Sequence, residues 1–346
     1  MLLVIVGLLT LLSLAWDSAL SFLVEQQDPS IFSGHHPSSF SSWFTHGVNP
    51  VPCHSHNDYW RRIPLYSAVA AGCTSVEADV WLDGNELRVG HSRKTVLQSQ
   101  SLRSLYLHPL LEMLEYNNPS PANLSKSGVY ERRAEGSNND PVGIFVNDPS
   151  QTLVLLIDFK KDPEQIWSLL VRQLAPLRNR GYLTHFDGSE MIHRPVTIVA
   201  TGDAPFHRIL ESAPIRDIFF DAPLNSIIHT PDLSKKASDY TQRENDSLMI
   251  SAENSYYASG DFHKIVGSLA LGRLTQDQLA RLQEQVKAAH ARGLKIRYWG
   301  TPTWPVGLRN HIWRVLIREN VDVLNVDDLY GATRQDWQSR GWWIDL

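Results

Sequence analysis

From Val51 onward the chain repeats one pattern: a short apolar run rich in β-branched residues, then a segment of helical period. The runs are "PVPCH", "SVEADVW", "LVLLIDF", "VTIVATG", "DIFFDAP", "LMISAEN", "LKIRYWG" and "VDVLNVD", eight in all. Strands alternating with helices predict a parallel sheet, and eight is the number that closes a (β/α)8 barrel of TIM type. The intervening helices carry their own start and stop signals. "DPEQIWSLLVRQLAPL" opens on Asp162 as N-cap and Pro163 in the first turn, with an apolar stripe at Ile166, Leu169, Leu170 and Leu174. "TQDQLARLQEQVKAAHARG" opens on Thr275 and stops at Gly293. "ELRVGH", after the turn "DGN", reads as a β-extension of the second strand and not as a ninth barrel strand.

The 346 residues are enough for one large α/β barrel, expected over 49–335. With 20% charged residues, a net charge of -5 and no basic run, the composition excludes a nucleic-acid-binding surface. The apolar run 2–15 is shorter than the roughly 20 residues of a bilayer span, so 1–19 reads as a signal peptide or N-terminal anchor. Arg61 is the first Lys or Arg of the chain, which argues against an Arg-rich mitochondrial presequence. The expected localisation is therefore the secretory pathway or outside the cell, with a membrane-anchored form as the alternative. The sequons at Asn123 and Asn245 fit that route. Residues 20–48 read as a leader and surface arm, 117–152 as an insertion or lid, and 336–346 as a tail.

Side chains at the C-terminal ends of barrel strands face the active site in this architecture. Those ends carry His54 and His56, Glu77 and Asp79, His91 on the extension, Asp158 and Lys160, Asp221, Glu253, Trp299, and Asp327 or Asp328. Glu77 and Asp79 are two apart on a strand and share a face. Paired buried carboxylates are costly unless a cation neutralises them. With Asp158 they form an all-oxygen donor set, which suits one divalent cation, Mg2+ ahead of Ca2+, better than zinc. Plainer readings stand beside these. Asp327 and Asp328 can finish the last strand and cap the next turn. Tyr298 and Trp299 can wall a substrate pocket or pack in the core, and Glu253 and Asn254 can support the site. His185, His193, His207, His229 and His263 read as surface or capping residues.

The order H-x-x-x, E-x-D, H, D-x-K resembles the glycerophosphodiester phosphodiesterase and phosphatidylinositol phospholipase C-like superfamily. Within it, "HSHNDYWRRIPLYSAVAAGCTSVEADVWLDGNELRVGHS", "LVLLIDFK" and "VDVLNVDDL" look like the fungal altered inheritance of mitochondria protein 6 family, across 51–329. The resemblance implies a metal-dependent phosphoric diester hydrolase with a phospholipase C-like barrel. It implies His56 and His91 as general acid and base, Lys160 on the phosphate, and Glu77, Asp79 and Asp158 on the metal. The superfamily has His-Arg-Gly where this chain has His56-Asn57-Asp58, so Asn57 would face the substrate without a charge. His54 can take the part given to His56, or join Asn57 and Trp299 in binding substrate. The implied substrate is a phosphodiester or phospholipid-derived small molecule, free or at a membrane surface, with no obligate protein partner.

Two other readings compete. A barrel that keeps the acids can bind a phosphorylated or lipid ligand without turning it over. A zinc amidohydrolase would use His54 and His56, but it needs further histidines where Asp221 and Glu253 stand. The two cysteines, Cys53 and Cys73, are expected to stay unpaired. If His54 is level with Glu77 they lie roughly 10 Å apart at about 3.3 Å per residue, beyond the reach of about 7 Å for a disulfide.

Overall fold

The computed structural model describes residues 45–119, 140–212, 214–228, 249–270 and 272–334. Outside them lie the expected leader 1–19, most of the arm 20–48, the centre of the 117–152 insertion, both sequons, His229 and the 336–346 tail. The strands are β1 (Val51–Ser55), β2 (Cys73–Asp83), β3 (Glu86–Val89), β4 (Leu153–Phe159), β5 (His185–Phe186), β6 (Met191–Ile192), β7 (Val196–Gly202), β8 (Ile218–Pro223), β9 (Ser255–Asp261), β10 (Lys295–Trp299) and β11 (Val323–Val326). Eight of them, β1, β2, β4 and β7 to β11, pair in parallel. Because β1 bonds to both β2 and β11, the sheet closes into the expected (β/α)8 barrel. β3 folds back antiparallel on β2 as the predicted extension, and β5–β6 is a small separate ribbon.

Strand alternation produces two cores. Outward residues such as Ala78, Val80, Leu155, Ile157, Ile198 and Ala200 pack against helix residues including Ile166, Leu170, Leu282 and Ile312. Inward residues change character along the barrel axis. Toward the N-terminal ends Val154, Leu156, Val199, Phe219, Tyr257 and Val323 fill the interior with an apolar plug. Two residues further along, the same inward face carries Asp158, Thr201, Asp221, Ser259 and Asn325. The polar layer thus lies at the C-terminal mouth and rests on a packed floor.

The long helix Gln276–Ala291 keeps its signals: Thr275 and Gln278 form a capping box, and Gly293 follows the helix at φ 72°. The helix Pro163–Gln173 starts after Asp162, but Asp162 adopts φ 57° and its side chain makes no capping bond.

Two expectations are corrected. The sixth barrel strand is Ser255–Asp261 and not "LMISAEN", so Glu253 sits in the turn before the strand and Asn254 bonds locally to Ser251 N and Met249 O. Cys53 and Cys73 form a disulfide, with Cα atoms 4.8 Å apart. His54 is level with Ser75, two residues below Glu77, and β1 carries a register shift between Val51 and His54. That slip and the bulge bring the cysteines together.

Candidate active site

The ladder places the acids. Asp79 on β2 pairs with Asp158 on β4, and Asp158 pairs with Thr201 on β7, so the three point into the mouth at one level. Oxygens of Glu77, Asp79 and Asp158 lie within 4.8 Å of one another. Lys160 Nζ stands 2.7 Å from Asp158 Oδ2 and 2.8 Å from Asp79 Oδ2. One ammonium against three carboxylates leaves the cluster short of positive charge, and Asp79 Oδ1 is buried with no hydrogen-bond partner. Burial pushes the Asp158 carboxyl up to about 6 against the pull of Lys160. Burial and the neighbouring Glu77 charge likewise raise Asp79. Gly202 permits this packing: a Cβ there would come within 2.0 Å of Asp158 Oδ1.

His54 on β1 and His56 just past it part company. His54 is fully buried; it accepts from Ser75 Oγ at 2.7 Å on Nδ1, while Nε2 lies 3.3 Å from Glu77 Oε2. Burial, with help from the Arg297 charge, lowers its pKa to about 4, so the ring is neutral and serves as a donor to Glu77. Burial works most strongly against Glu77, but the His54 hydrogen bond and the Arg297 and His56 charges together outweigh it and hold the carboxylate ionised. Asn57, in the left-handed region at φ 46°, turns the chain so that its backbone N–H also reaches Glu77, at 3.2 Å.

His56 extends the β1–β11 ladder through its N–H to Val326 O and keeps its side chain about one-third exposed. Its Nδ1 donates to Asp327 Oδ1 at 2.8 Å, and Asn57 Nδ2 lies 3.2 Å from its Nε2. Burial alone would lower His56, yet the hydrogen bond to Asp327 and the Glu77 charge carry its pKa above the usual value.

His91, more than half exposed, stands 3.5 Å from Asp79 Oδ2 and 3.4 Å from the Tyr59 hydroxyl. That hydroxyl is also 2.5 Å from Asn57 Oδ1 and 2.9 Å from Asp79 Oδ2, and it has one proton to share between them.

The structure thus gathers Glu77, Asp79, Asp158, Lys160, His54, His56, Asn57 and His91 at one mouth. Trp299 stands at the rim on β10 with Lys264 over its ring at 5.7 Å, while Tyr298 faces the outer core and donates to Gln285. Asp328 caps the last helix through Gly331 N, as expected, but Asp327 serves His56. Sequence reasoning missed Tyr59 and Arg297. The buried Arg297 guanidinium ties Ser259, Asn325 and Asp221 together across β9, β11 and β8. A lone Arg in an apolar run, as in "LKIRYWG", is the signal that marked it. Among the described residues the metal-ligating cluster is all carboxylate, which leaves the zinc reading without its ligands.

Residues 42–221 match the model of the AIM6-like phosphodiesterase domain, which places the chain among the phosphodiesterase barrels. It belongs to the altered inheritance of mitochondria protein 6 family. It is 37% identical over 298 residues to the altered inheritance of mitochondria protein 6 homolog of Arthroderma benhamiae, covering 83% of this chain and 84% of that protein. It is 35% identical over 308 residues to altered inheritance of mitochondria protein 6 of Saccharomyces cerevisiae, covering 83% of this chain and 71% of the relative. Among solved structures it is similar to a glycerophosphodiester phosphodiesterase from Parabacteroides distasonis, at 13% identity and a TM-score of 0.41, over 85% of this chain and 99% of that one. The relatives' names, altered inheritance of mitochondria protein 6, correct the secretory localisation expected from 1–19 by tying those relatives to mitochondria.

Proposed function

We propose that the chain hydrolyses a small-molecule phosphoric diester, with one divalent cation held by Glu77, Asp79 and Asp158. The observation that carries this is the set of three carboxylates within 4.8 Å, one of them with a buried unpartnered oxygen. Hard oxygen donors of this kind fit Mg2+ first and Ca2+ second. Such a cation, when bound, draws charge from the non-bridging phosphoryl oxygens.

The chain's own groups divide the remaining work. Lys160 Nζ, anchored on Asp79 and Asp158, presents ammonium protons toward a phosphoryl oxygen. Asp327 fixes the tautomer of His56 so that Nε2 is the basic nitrogen, and the raised pKa makes it a competent base for the attacking hydroxyl. His91, across Asp79 at the open edge, returns a proton to the leaving alkoxide. His54 supports Glu77 and takes no proton from substrate. A water nucleophile yields an open monoester and a neighbouring substrate hydroxyl a cyclic phosphate; phosphorus NMR of the product separates the two.

The test is turnover of an aryl phosphodiester with Mg2+, Ca2+, Zn2+ or chelator. Cation-dependent turnover, lost in Asp79→Asn and His56→Ala, is the expected result. Equal turnover under chelator, or restoration by Zn2+ alone, overturns it.

A further inference from the structure

Six large apolar side chains stand well exposed among the described residues: Trp60, Leu97, Ile215, Met249, Trp299 and Trp304. Their placement is lopsided. Ile215 and Met249 precede β8 and β9 at the closed end, whereas the other four stand at the mouth. Trp60, 63% exposed, follows β1; Trp299 and Trp304, 40% and 51% exposed, end and follow β10. Leu97, 54% exposed, lies in the loop after β3. That loop is held on the β2–β3 hairpin, which rises past Asp79, by Arg88 bonding to Gln98. Since β11 alone separates β10 from β1, these side chains occupy one sector of the rim.

The charges of the sector are equally uneven. Arg62, Arg93, Lys94 and Lys161 are exposed on the loops after β1, β3 and β4, and among the described residues none has an acidic partner. Several acids at the mouth are already engaged, Asp327 with His56, Asp328 with Arg309, and Asp261 with Lys264, while Asp162 beside Lys161 and Asp203 after β7 stay exposed, so the cationic excess lies on the loops after β1 and β3. A chain of net charge -5 therefore presents a cationic, tryptophan-bearing edge around its acidic site.

We propose that this edge seats the barrel mouth on an anionic phospholipid surface, so that the diester offered to the site is a lipid headgroup. Indole rings settle at the headgroup level, and unpaired Lys and Arg are drawn to anionic lipid. Exposed apolar side chains grouped beside a site mark a docking surface. The identity of the substrate rests on the diesterase reading; the docking itself does not.

The experiment is flotation of the full chain with phosphatidylcholine vesicles, with and without phosphatidylserine, at two salt concentrations. All variants keep residues 1–44, so differences between them report on the rim. The expected result is binding that requires phosphatidylserine, weakens with salt, and falls by at least about tenfold in Arg93→Glu/Lys94→Glu and in Leu97→Ser. Both variants should turn over a soluble aryl diester as the parent does. Absence of flotation, equal binding to neutral vesicles, or variants that float like the parent each overturns the docking. A parent that floats as expected but turns over no diester sinks the catalytic reading alone.

Discussion

Asp327 Oδ1 lies 2.8 Å from His56 Nδ1, a contact between residues 271 positions apart that joins the first and last strands of the barrel. Arg61 steadies it by donating from its guanidinium to the Asp327 and Val326 carbonyls. A carboxylate on Nδ1 favours the imidazolium and raises the pKa of His56. A base works when deprotonated, so if His56 is the base proposed above, its higher pKa places the acid limb of the rate profile at higher pH. Asp327→Asn is therefore expected to lower the His56 pKa, shift the acid limb to lower pH and reduce kcat by about tenfold or more. Imidazole titration by NMR gives the pKa without needing turnover. An unchanged His56 titration would remove Asp327 from its positioning role.

Gly202 sets the room available to Asp158. Its φ is 68°, and an added Cβ would meet Asp158 Oδ1 at 2.0 Å and Phe159 O at 2.6 Å. The second contact is with backbone, which cannot swing away. Gly202→Ala should cost about 1–3 kcal/mol of stability and displace the Asp158 carboxylate. Divalent-cation affinity by calorimetry is expected to fall by at least about tenfold, at a temperature where circular dichroism shows the variant folded. Parent-like affinity would mean that Asp158 is not a ligand.

What the sequence disclosed, and what it hid, divides along the strands. Seven of the eight runs fall on barrel strands because each presents mostly apolar residues to the outer core. The sixth was misplaced because "SYYASGD" has few aliphatics: its inward face turns polar at the mouth and Gly260 packs tightly against Ile265. Glu77, Asp79, Asp158 and Lys160 were legible because an i, i+2 spacing fixes the face whatever the partner strand. Relative height between strands was not, so His54 stood two residues too high and the cysteine pair was missed. Asp58, between His56 and Tyr59, shows the same limit. Its carboxyl is fully buried and accepts from Ser55 Oγ, Leu65 N and Tyr106 Oη, which makes it a brace under the β1 turn.

The Cys53–Cys73 disulfide closes a loop with a sequence separation of 20 that holds His54, His56, Asn57 and Tyr59. A loop of about this length restricts the unfolded chain by roughly 3 kcal/mol. Replacing both cysteines with Ala should lower the melting temperature by several degrees while leaving the apolar contacts of these buried positions largely filled. Intact mass without reductant should be two hydrogens below the reduced mass. A reduced mass for the native protein would refute the pairing, and an unchanged melting temperature would refute its contribution.

On the proposed reading, cation binding and pH are coupled through the acid cluster. The Asp158 carboxyl titrates at about 6 in the folded chain, above its ordinary value of 3.8, because burial disfavours its charge. A carboxyl with a raised folded pKa binds its proton more tightly when folded. Its contribution to stability is complete below the unfolded pKa and is lost as pH rises through the folded one. Under chelator the protein should therefore lose stability between about pH 4 and pH 6 on this account, with Asp79, also raised, adding in the same direction. If the proposed cation supplies the missing positive charge, Mg2+ at 100 times its dissociation constant should restore about 2.7 kcal/mol near neutral pH. The gain should shrink as pH falls and protons displace the metal. Melting curves across pH, with Mg2+ or chelator, read both effects. Asp79→Asn, with one charge fewer to neutralise, should show a flatter chelator profile and little response to Mg2+. A parent protein indifferent to Mg2+ at every pH would mean that Lys160 alone balances these acids.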